Sequence, residues 1–442
     1  MHKYADVIAN ASRLVTTALL AGEADVDTRA LTLDADVGEL LRHVGQAVMR
    51  DLFAELGRRA VQRAEANGLK VNRRTLATFS VLFGPVDIQS PYLWDSKTKR
   101  SSRPVQDELG LVNRGRSPAV VRALTDFGAE ESFGQASVRF KEHYGWEVGR
   151  TSILRVVEDV AREAEGYVAD RLASSRAEFD KPLAERPGCE QVLVELDGSE
   201  LRTGILRPKA GRERTAVHQR KCRRRVEEWR DVRVGFARRL DQTERTYVAR
   251  LDTYDRLGDD LFSAAVDRGL SSATRVTAVA DGGNGLREGL VAKFSNLRFI
   301  LDRPHLKGHF FETAEALGYS GARAETWVDE HMHDIDEGRV GDTLVRLRLQ
   351  QRRRRNKRLR QLIGYVKRFR DAVHYAAFIA QGLPIGSGEV ESAHRTIPQK
   401  RMKISGACWH PRTINPMLAL RTLRANRWWD DFWVKRADRA AA

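Results

Sequence analysis

Three carboxylates, far apart in the chain, stand where a strand ends or a helix opens. Asp197 closes the apolar run QVLVELDG, Asp281 closes RVTAVADGG, and Glu391 lies in the helix that follows the glycine-rich stretch IGSGEVES. An apolar strand end gains nothing from a carboxylate, and burying one unpaired is costly. Acids that converge repel one another unless a divalent cation lies between them. Mg²⁺ takes hard oxygen ligands in octahedral geometry and keeps several waters. Two such ions roughly 3.5–4 Å apart serve both the attacking and the leaving oxygen of an in-line phosphoryl displacement. Each residue alone has a plainer reading. Asp before Gly is a turn pair, and an acid in a first helical turn suits the helix dipole. The chemistry lies in the set, and Glu389 competes with Glu391 for the third place.

Other residues invite a role. Asp302 and His305 fall in ILDRPH, at the end of another strand-like run. The histidine could meet a phosphate or be a satisfied core residue. Trp409, after Cys408, could stack on a base or pack against a sheet, and Arg401 and Lys403 precede it in KRMKISGACW. Arg352, Arg353, Arg354 and Arg355, with Lys357, Arg358 and Arg360, form a basic run. It is a solvated helical face or a phosphate-binding one. Arg220, Lys221, Arg223, Arg224 and Arg225 form a second cluster. His331 and His333 make a His-x-His without further clustered ligands, so no metal is assigned to them.

The elements that must position these residues are legible in outline. Val37, Leu40, Leu41, Val44, Val48, Leu52 and Leu56 recur at steps of three and four, which predicts a long amphipathic helix over 36–66 stopping at Gly68. TFSVLFGPVDIQSPYLW (78–94) alternates around Gly84-Pro85 and reads as a hairpin, and 95–108 as a polar loop. Two helical patterns, 132–145 and 148–164, are joined by a short glycine-containing turn. They form a helix-turn-helix that would offer Arg150, Thr151, Ser152 and Arg155 to a major groove, or a plain helical hairpin. From residue 190 the texture becomes strand-rich: 191–201, 231–240, 247–254, 275–286 and 297–305, with a helix over 255–270. Strands that first meander and then alternate with helices predict an α/β fold with a mixed sheet. Residues 308–380 return to helix, and 384–395 is a glycine-rich loop opening one more.

Composition narrows the partners. Of 442 residues, 76 are Lys or Arg against 60 Asp or Glu, a net charge of +16. Such an excess implies an anionic partner, nucleic acid or an anionic membrane surface. The least charged run, Ala372 to Gly388, contains His374, Gln381, Gly382 and Pro384, too polar and short to span a bilayer. The N-terminus lacks the apolar core of a signal peptide. Three scattered cysteines, Cys189, Cys222 and Cys408, make neither a disulfide framework nor a zinc site. A reducing cytoplasm, in association with the nucleoid, fits, and nucleic acid becomes the expected partner.

Four patterns, ELDG at Asp197, AVADGGNGL at Asp281, ILDRPH at Asp302 and His305, and IGSGEVES…KRMKISGACW at Glu391, Cys408 and Trp409, carry a resemblance to a known family. The chain resembles the DDE-type transposases of bacterial insertion sequences, in particular the ISKra-type group and its Mutator-like relatives. The likeness covers roughly residues 190–425 well and the N-terminal half loosely. It implies an RNase H-like catalytic core with a mixed sheet, interrupted by an all-helical insertion and preceded by a mainly helical DNA-binding region. The spacing of 84 residues from Asp197 to Asp281, then 110 to Glu391, suits that plan. The expected divisions are a helical region with hairpin (1–95), a helix-turn-helix-like region (96–189), the first part of the core (190–310), the insertion (311–383), and the last part of the core with a C-terminal helix (384–442).

The resemblance further implies that Asp197, Asp281 and Glu391 bind two Mg²⁺ or Mn²⁺ ions. They would catalyse cleavage at the ends of a mobile element and transfer of the 3′-OH to target DNA. Glu391 is preferred over Glu389 because the family's acid follows the valine, here Val390. Double-stranded DNA is the partner, both terminal inverted repeats and target, held by a homodimer or larger assembly. Asp302, His305, Trp409, Arg150, Arg155, Arg223, Arg224, Arg352, Arg353, Arg354, Arg355, Lys357, Arg401 and Lys403 are the expected DNA contacts. Many relatives carry paired cysteines in the loop that here reads PYLWDSKTKRSSRP; this chain has none there, so no zinc ribbon is available. A non-catalytic, transposase-derived DNA-binding regulator and another RNase H-like nuclease are the alternatives.

Overall fold

The computed structural model describes residues 4–21, 33–111, 114–186, 188–208, 223–283 and 285–441. It divides into two compact units, Met1–Val157 and Glu158–Ala442. Both are mixed α/β, with a helical N-terminus.

The first unit opens with α1 (Ala5–Leu20) and the long α2 (Leu33–Ala66). Strands β1 (Lys70–Arg73), β2 (Leu76–Val81), β3 (Gly84–Gln89), β4 (Tyr92–Trp94) and β5 (Ser101–Ser102) follow, then the short α3 (Pro104–Leu109) and β6 (Gly115–Arg116). The expected hairpin is β2–β3, but its turn is Leu82-Phe83, with Pro85 already paired to Ser80. Gly84 takes φ +131, which a side chain would strain. Phe79, Val81, Val86, Ile88, Val105 and Leu111 form the core, and Met49 and Phe53 of α2 pack on it. α4 (Pro118–Glu130) and α5 (Phe133–Tyr144) follow, and α6 (Arg150–Ala177) begins in the first unit and continues into the residues of the second. Ser117 and Ser132 cap the first two of these by accepting N–H bonds, and α5 ends at Gly145 in the left-handed region. α6 runs 13 residues past the predicted end at 164.

The second unit holds a five-stranded sheet: β7 (Gln191–Pro208), β8 (Arg223–Arg239), β9 (Arg245–Arg250), β10 (Arg275–Ala280) and β11 (Leu297–Leu301), in the order β11-β10-β7-β8-β9. β7, β8 and β9 are antiparallel, while β10 pairs parallel to both β7 and β11. Val192, Val194, Leu196, Val232, Val234 and Phe236 are buried in its centre. α7 (Tyr254–Asp267) follows β9, and α8 (Leu286–Lys293) joins β10 to β11. α9 (Arg303–Ala316), α10 (Ala322–Asp336), α11 (Val340–Arg353), α12 (Lys357–Arg368) and α13 (Tyr375–Ala380) form the helical stretch. Next come α14 (Gly388–His394), a π turn (Arg395–Gln399), α15 (Lys400–Met402), α16 (Ile414–Ala425) and α17 (Trp429–Ala441).

The two faces of the sheet follow from strand alternation. A Cβ on Gly235 would lie 3.4 Å from Leu261, so α7 covers the face that also bears Leu196. α14 covers the opposite face, where Glu195, Asp197 and Ser199 succeed one another at period two.

β7 corrects one expectation. Asp197 does not end its strand, which continues to Pro208 as a two-stranded ribbon with β8. The Asp-Gly turn signal is overridden because every residue from Gly198 to Pro208 finds a partner on β8. Asp197 still stands at an edge, since the β10 neighbour pairs only as far as Glu195.

Candidate active site

The end of the sheet where β10 and β11 stop gathers acids and histidines from distant parts of the chain. Asp281 follows β10 directly, and its Oδ1 accepts the Gly283 N–H at 3.0 Å. Asp197 Oδ1 accepts the Gly198 N–H at 2.7 Å. Burial first, with the neighbouring charge of Asp281 adding to it, raises the Asp197 carboxyl above the ordinary carboxylate range. His394 and the Gly198 N–H pull the other way without cancelling it. Tyr365 of α12 accepts the Gly282 N–H on its hydroxyl at 3.0 Å, fixing the turn after Asp281. A Cβ on Gly282 would collide with that ring.

His305 lies in the first turn of α9, half exposed, with Nδ1 3.5 Å from Asp302 Oδ1. The bond to Asp302, then the charges of Asp302, Asp281 and Asp197, push its pKa up to about 9. It is therefore a cation at neutral pH beside the acidic pair.

Asp302 is not available to DNA. It is 1% exposed and caps α9 by accepting the His305 N–H at 2.6 Å. Its second oxygen accepts both the N–H and the hydroxyl of Ser387. These bonds outweigh burial and hold its pKa near about 2. Asp302 is thus a staple between the end of β11 and the glycine-rich loop.

α14 is anchored on its other side by Glu195, whose Oε2 accepts the Val390 N–H at 2.9 Å. Glu195 is 1% exposed, its Oε1 has no hydrogen-bond partner, and burial pushes its pKa up to about 8. The folded state therefore binds a proton that the unfolded chain releases near pH 4.5, so stability falls as pH rises from there to about 8. Glu195→Gln keeps an acceptor for Val390 and removes the titration. It is expected to gain about 2 kcal/mol at pH 8, after discounting an unpaired amide N–H, and little at pH 5. Urea unfolding at both pH values checks this; an equal effect at both would refute it.

Glu389, the competitor for the third place, is engaged by two arginines. Arg238 and Arg245 both bind its carboxylate, at 2.8 and 2.5 Å, and hold it below its ordinary range against burial. Glu391 is exposed on α14, and its charge reaches His394 one turn later. Among the described residues, no group of three or more His, Cys, Asp or Glu side chains is placed to hold a metal ion. Asp197 and Asp281 offer hard oxygens of the kind a divalent cation takes, and one oxygen of each is anchored by a backbone N–H. Glu391 does not complete the set in this conformation.

The remaining residues divide. Trp409 packs: its main chain exchanges hydrogen bonds with Arg202 and Gly204 of β7, and its indole N–H donates to the Met402 carbonyl at 3.0 Å. Arg401 is 3% exposed with its guanidinium over that indole, 4.9 Å from the ring centre, so it too is buried away from DNA. Lys403 is exposed. The basic run is not one helical face: it spans the end of α11, the turn at 354–356 and the start of α12. Arg352, Arg353, Arg354, Arg355 and Lys357 are all exposed, and Arg354 alone of these donates to the Leu317 carbonyl. Arg150 and Arg155 are exposed at the start of α6, and Arg224 on β8. Arg220 and Lys221 lie outside the described residues, as does the side chain of Arg223. No described helix is long and apolar enough to cross a membrane.

Sequence reasoning missed His394, Ser199, Ser387 and Glu195. Strand alternation through Asp197 would have found Glu195 and Ser199, whereas nothing local marks His394.

No family model matches the chain, and no curated protein matches it. Among solved structures, the chain is similar to the "Drosophila P element transposase strand transfer complex", at 10% identity and a TM-score of 0.35, over 71% of this chain and 93% of that one.

Proposed function

We propose that this chain is a metal-dependent DNA phosphoryl transferase, a transposase of the DDE type that cuts at element ends and joins the 3′-OH to target DNA. The observation that carries this is the register of β7 and β10, which brings Asp197 and Asp281, 84 residues apart, to the same end of the sheet, where His305 opens α9. Three antiparallel strands followed by two parallel ones support an RNase H-like core.

Asp197 and Asp281 would hold Mg²⁺ or Mn²⁺, with Glu391 as the acid of α14 that no arginine occupies. When bound, the ions supply charge that activates the attacking oxygen and stabilises the leaving one. His305 offers a cation to a phosphate oxygen. Asp302, Glu195 and Tyr365 keep the loop, helix and turn around the acids in place. Direct in-line attack needs no covalent protein–DNA intermediate, and hence no Ser or Tyr nucleophile. Two element ends must be held together, which calls for a dimer or larger assembly on nucleoid DNA.

Exposed Arg352, Arg353, Arg355 and Lys357 would contact phosphates. Replacing all four by Gln is expected to flatten the slope of log affinity against log salt by roughly 3–4. Filter binding between 50 and 200 mM salt checks it; an unchanged slope assigns the run to solvent.

The test of function incubates purified protein with Mg²⁺ and DNA carrying the element's ends. Nicking that disappears in Asp197→Asn supports the reading. Tight binding without cleavage favours a non-catalytic DNA-binding role, a second reading to which the incomplete three-acid set gives weight.

A further inference from the structure

We propose that His394, oriented by Ser199, is a positioning residue for the Asp197 carboxylate. The inference rests on the reading of Asp197 as an acid of the reacting centre. His394 is 2% exposed and projects from α14 onto the face of β7 that bears Ser199 and Asp197. Its Nδ1 lies 3.1 Å from Ser199 Oγ. Its Nε2 is buried, has no hydrogen-bond partner, and faces Asp197 Oδ2 at 3.7 Å. That oxygen is the one the Gly198 N–H leaves open.

The imidazole has Nδ1 at Ser199 and Nε2 at Asp197, so the placement of its ring proton is what relates the two. Ser199 decides where it sits. A hydroxyl donating to Nδ1 leaves the proton on Nε2, pointed at Asp197. The contact is longer than a hydrogen bond. The imidazole therefore limits where the carboxylate can go without a hydrogen bond to it. Glu389 shows the contrast: two arginines lock it and withdraw it from other chemistry. The His394 ring, held by Ser199 and beyond hydrogen-bond distance of Asp197, orients the acid and leaves it able to accept a cation. His394 also lies three residues after Glu391 on the same short helix, so the ring ties the strand's acid to the helix that carries the other.

The test uses the full chain. In metal-free protein with ¹⁵N-labelled histidines, the His394 signal, assigned by its loss in His394→Gln, is expected to show the Nε2–H tautomer. Ser199→Ala is expected to turn it into a tautomer mixture. An Nδ1–H tautomer, or no change in Ser199→Ala, overturns the proposal. In Mn²⁺ titrations, His394→Ala is expected to weaken binding by roughly 10–100-fold. His394→Gln, whose amide nitrogen falls near the Nε2 position, is expected to restore most of it, and His394→Asn is not. Equal behaviour of the Gln and Asn variants also overturns it. If the wild type and Asp197→Asn bind Mn²⁺ alike, the metal reading fails, and the tautomer result still decides the role of His394.

Discussion

Asp197→Asn is expected to lose strand nicking by on the order of 10³-fold while making the metal-free protein more stable. The two effects share one cause. Asp197 is raised above the ordinary carboxylate range by burial and by the charge of Asp281, so its ionised form is disfavoured in the fold. Wild-type stability is therefore lost as pH rises through the carboxylate range toward that raised value. Asn has no charge to desolvate, and its amide oxygen can still accept the Gly198 N–H. At neutral pH the variant should gain up to about 1 kcal/mol, the size of one screened like-charge contact. A divalent cation reverses the order, since it stabilises only the protein that binds it. Thermal unfolding of both proteins with and without millimolar Mg²⁺ measures this. A variant that is less stable than wild type in EDTA, or equally stabilised by Mg²⁺, would remove the acid pair from the metal chemistry.

Asp281 and its turn were legible because a short apolar run entering Asp-Gly-Gly has one sensible reading. The fate of Asp197 was not, because the same Asp-Gly signal is local and the partner that overrides it, Arg223–Arg233 of β8, lies beyond a long connection. The choice between Glu389 and Glu391 turns on Arg238 and Arg245, which come from β8 and β9 and meet α14 only after the sheet has formed. Arg401 illustrates the limit of charge counting. In sequence it belongs to a basic segment, yet it is buried against Trp409, and nothing local separates a stacked arginine from a solvated one. His394 was hidden for a related reason. A histidine three residues past an acid gains meaning only when strand alternation places Ser199 and Asp197 opposite it.

Asp302→Ala is expected to destabilise the protein by roughly 3–5 kcal/mol at neutral pH, because it leaves several buried donors without an acceptor. The Ser387 N–H and hydroxyl and the His305 N–H all end on this one carboxylate. Asp302→Asn should cost less, about 2 kcal/mol, since one amide oxygen remains to accept. The pH dependence is specific. The pKa of Asp302 is depressed to about 2, so its contribution is complete above the ordinary carboxylate value and is lost as pH falls toward 2. His305 works in the opposite sense. Its pKa is raised to about 9, so its share is present below about 6.5 and is lost as pH rises through 9. That share is the smaller one, because the ring is half exposed and screened by solvent. The pair is therefore strongest between about pH 4 and 6.5, and both flanks should flatten in the Ala variant. In the same variant the His305 ring should titrate markedly lower, with Asp281 and Asp197 alone to hold its proton. Chemical unfolding from pH 2 to 9, with NMR titration of His305, tests both halves. A His305 titration unmoved by Asp302→Ala would mean that the acidic pair, not the staple, sets its charge.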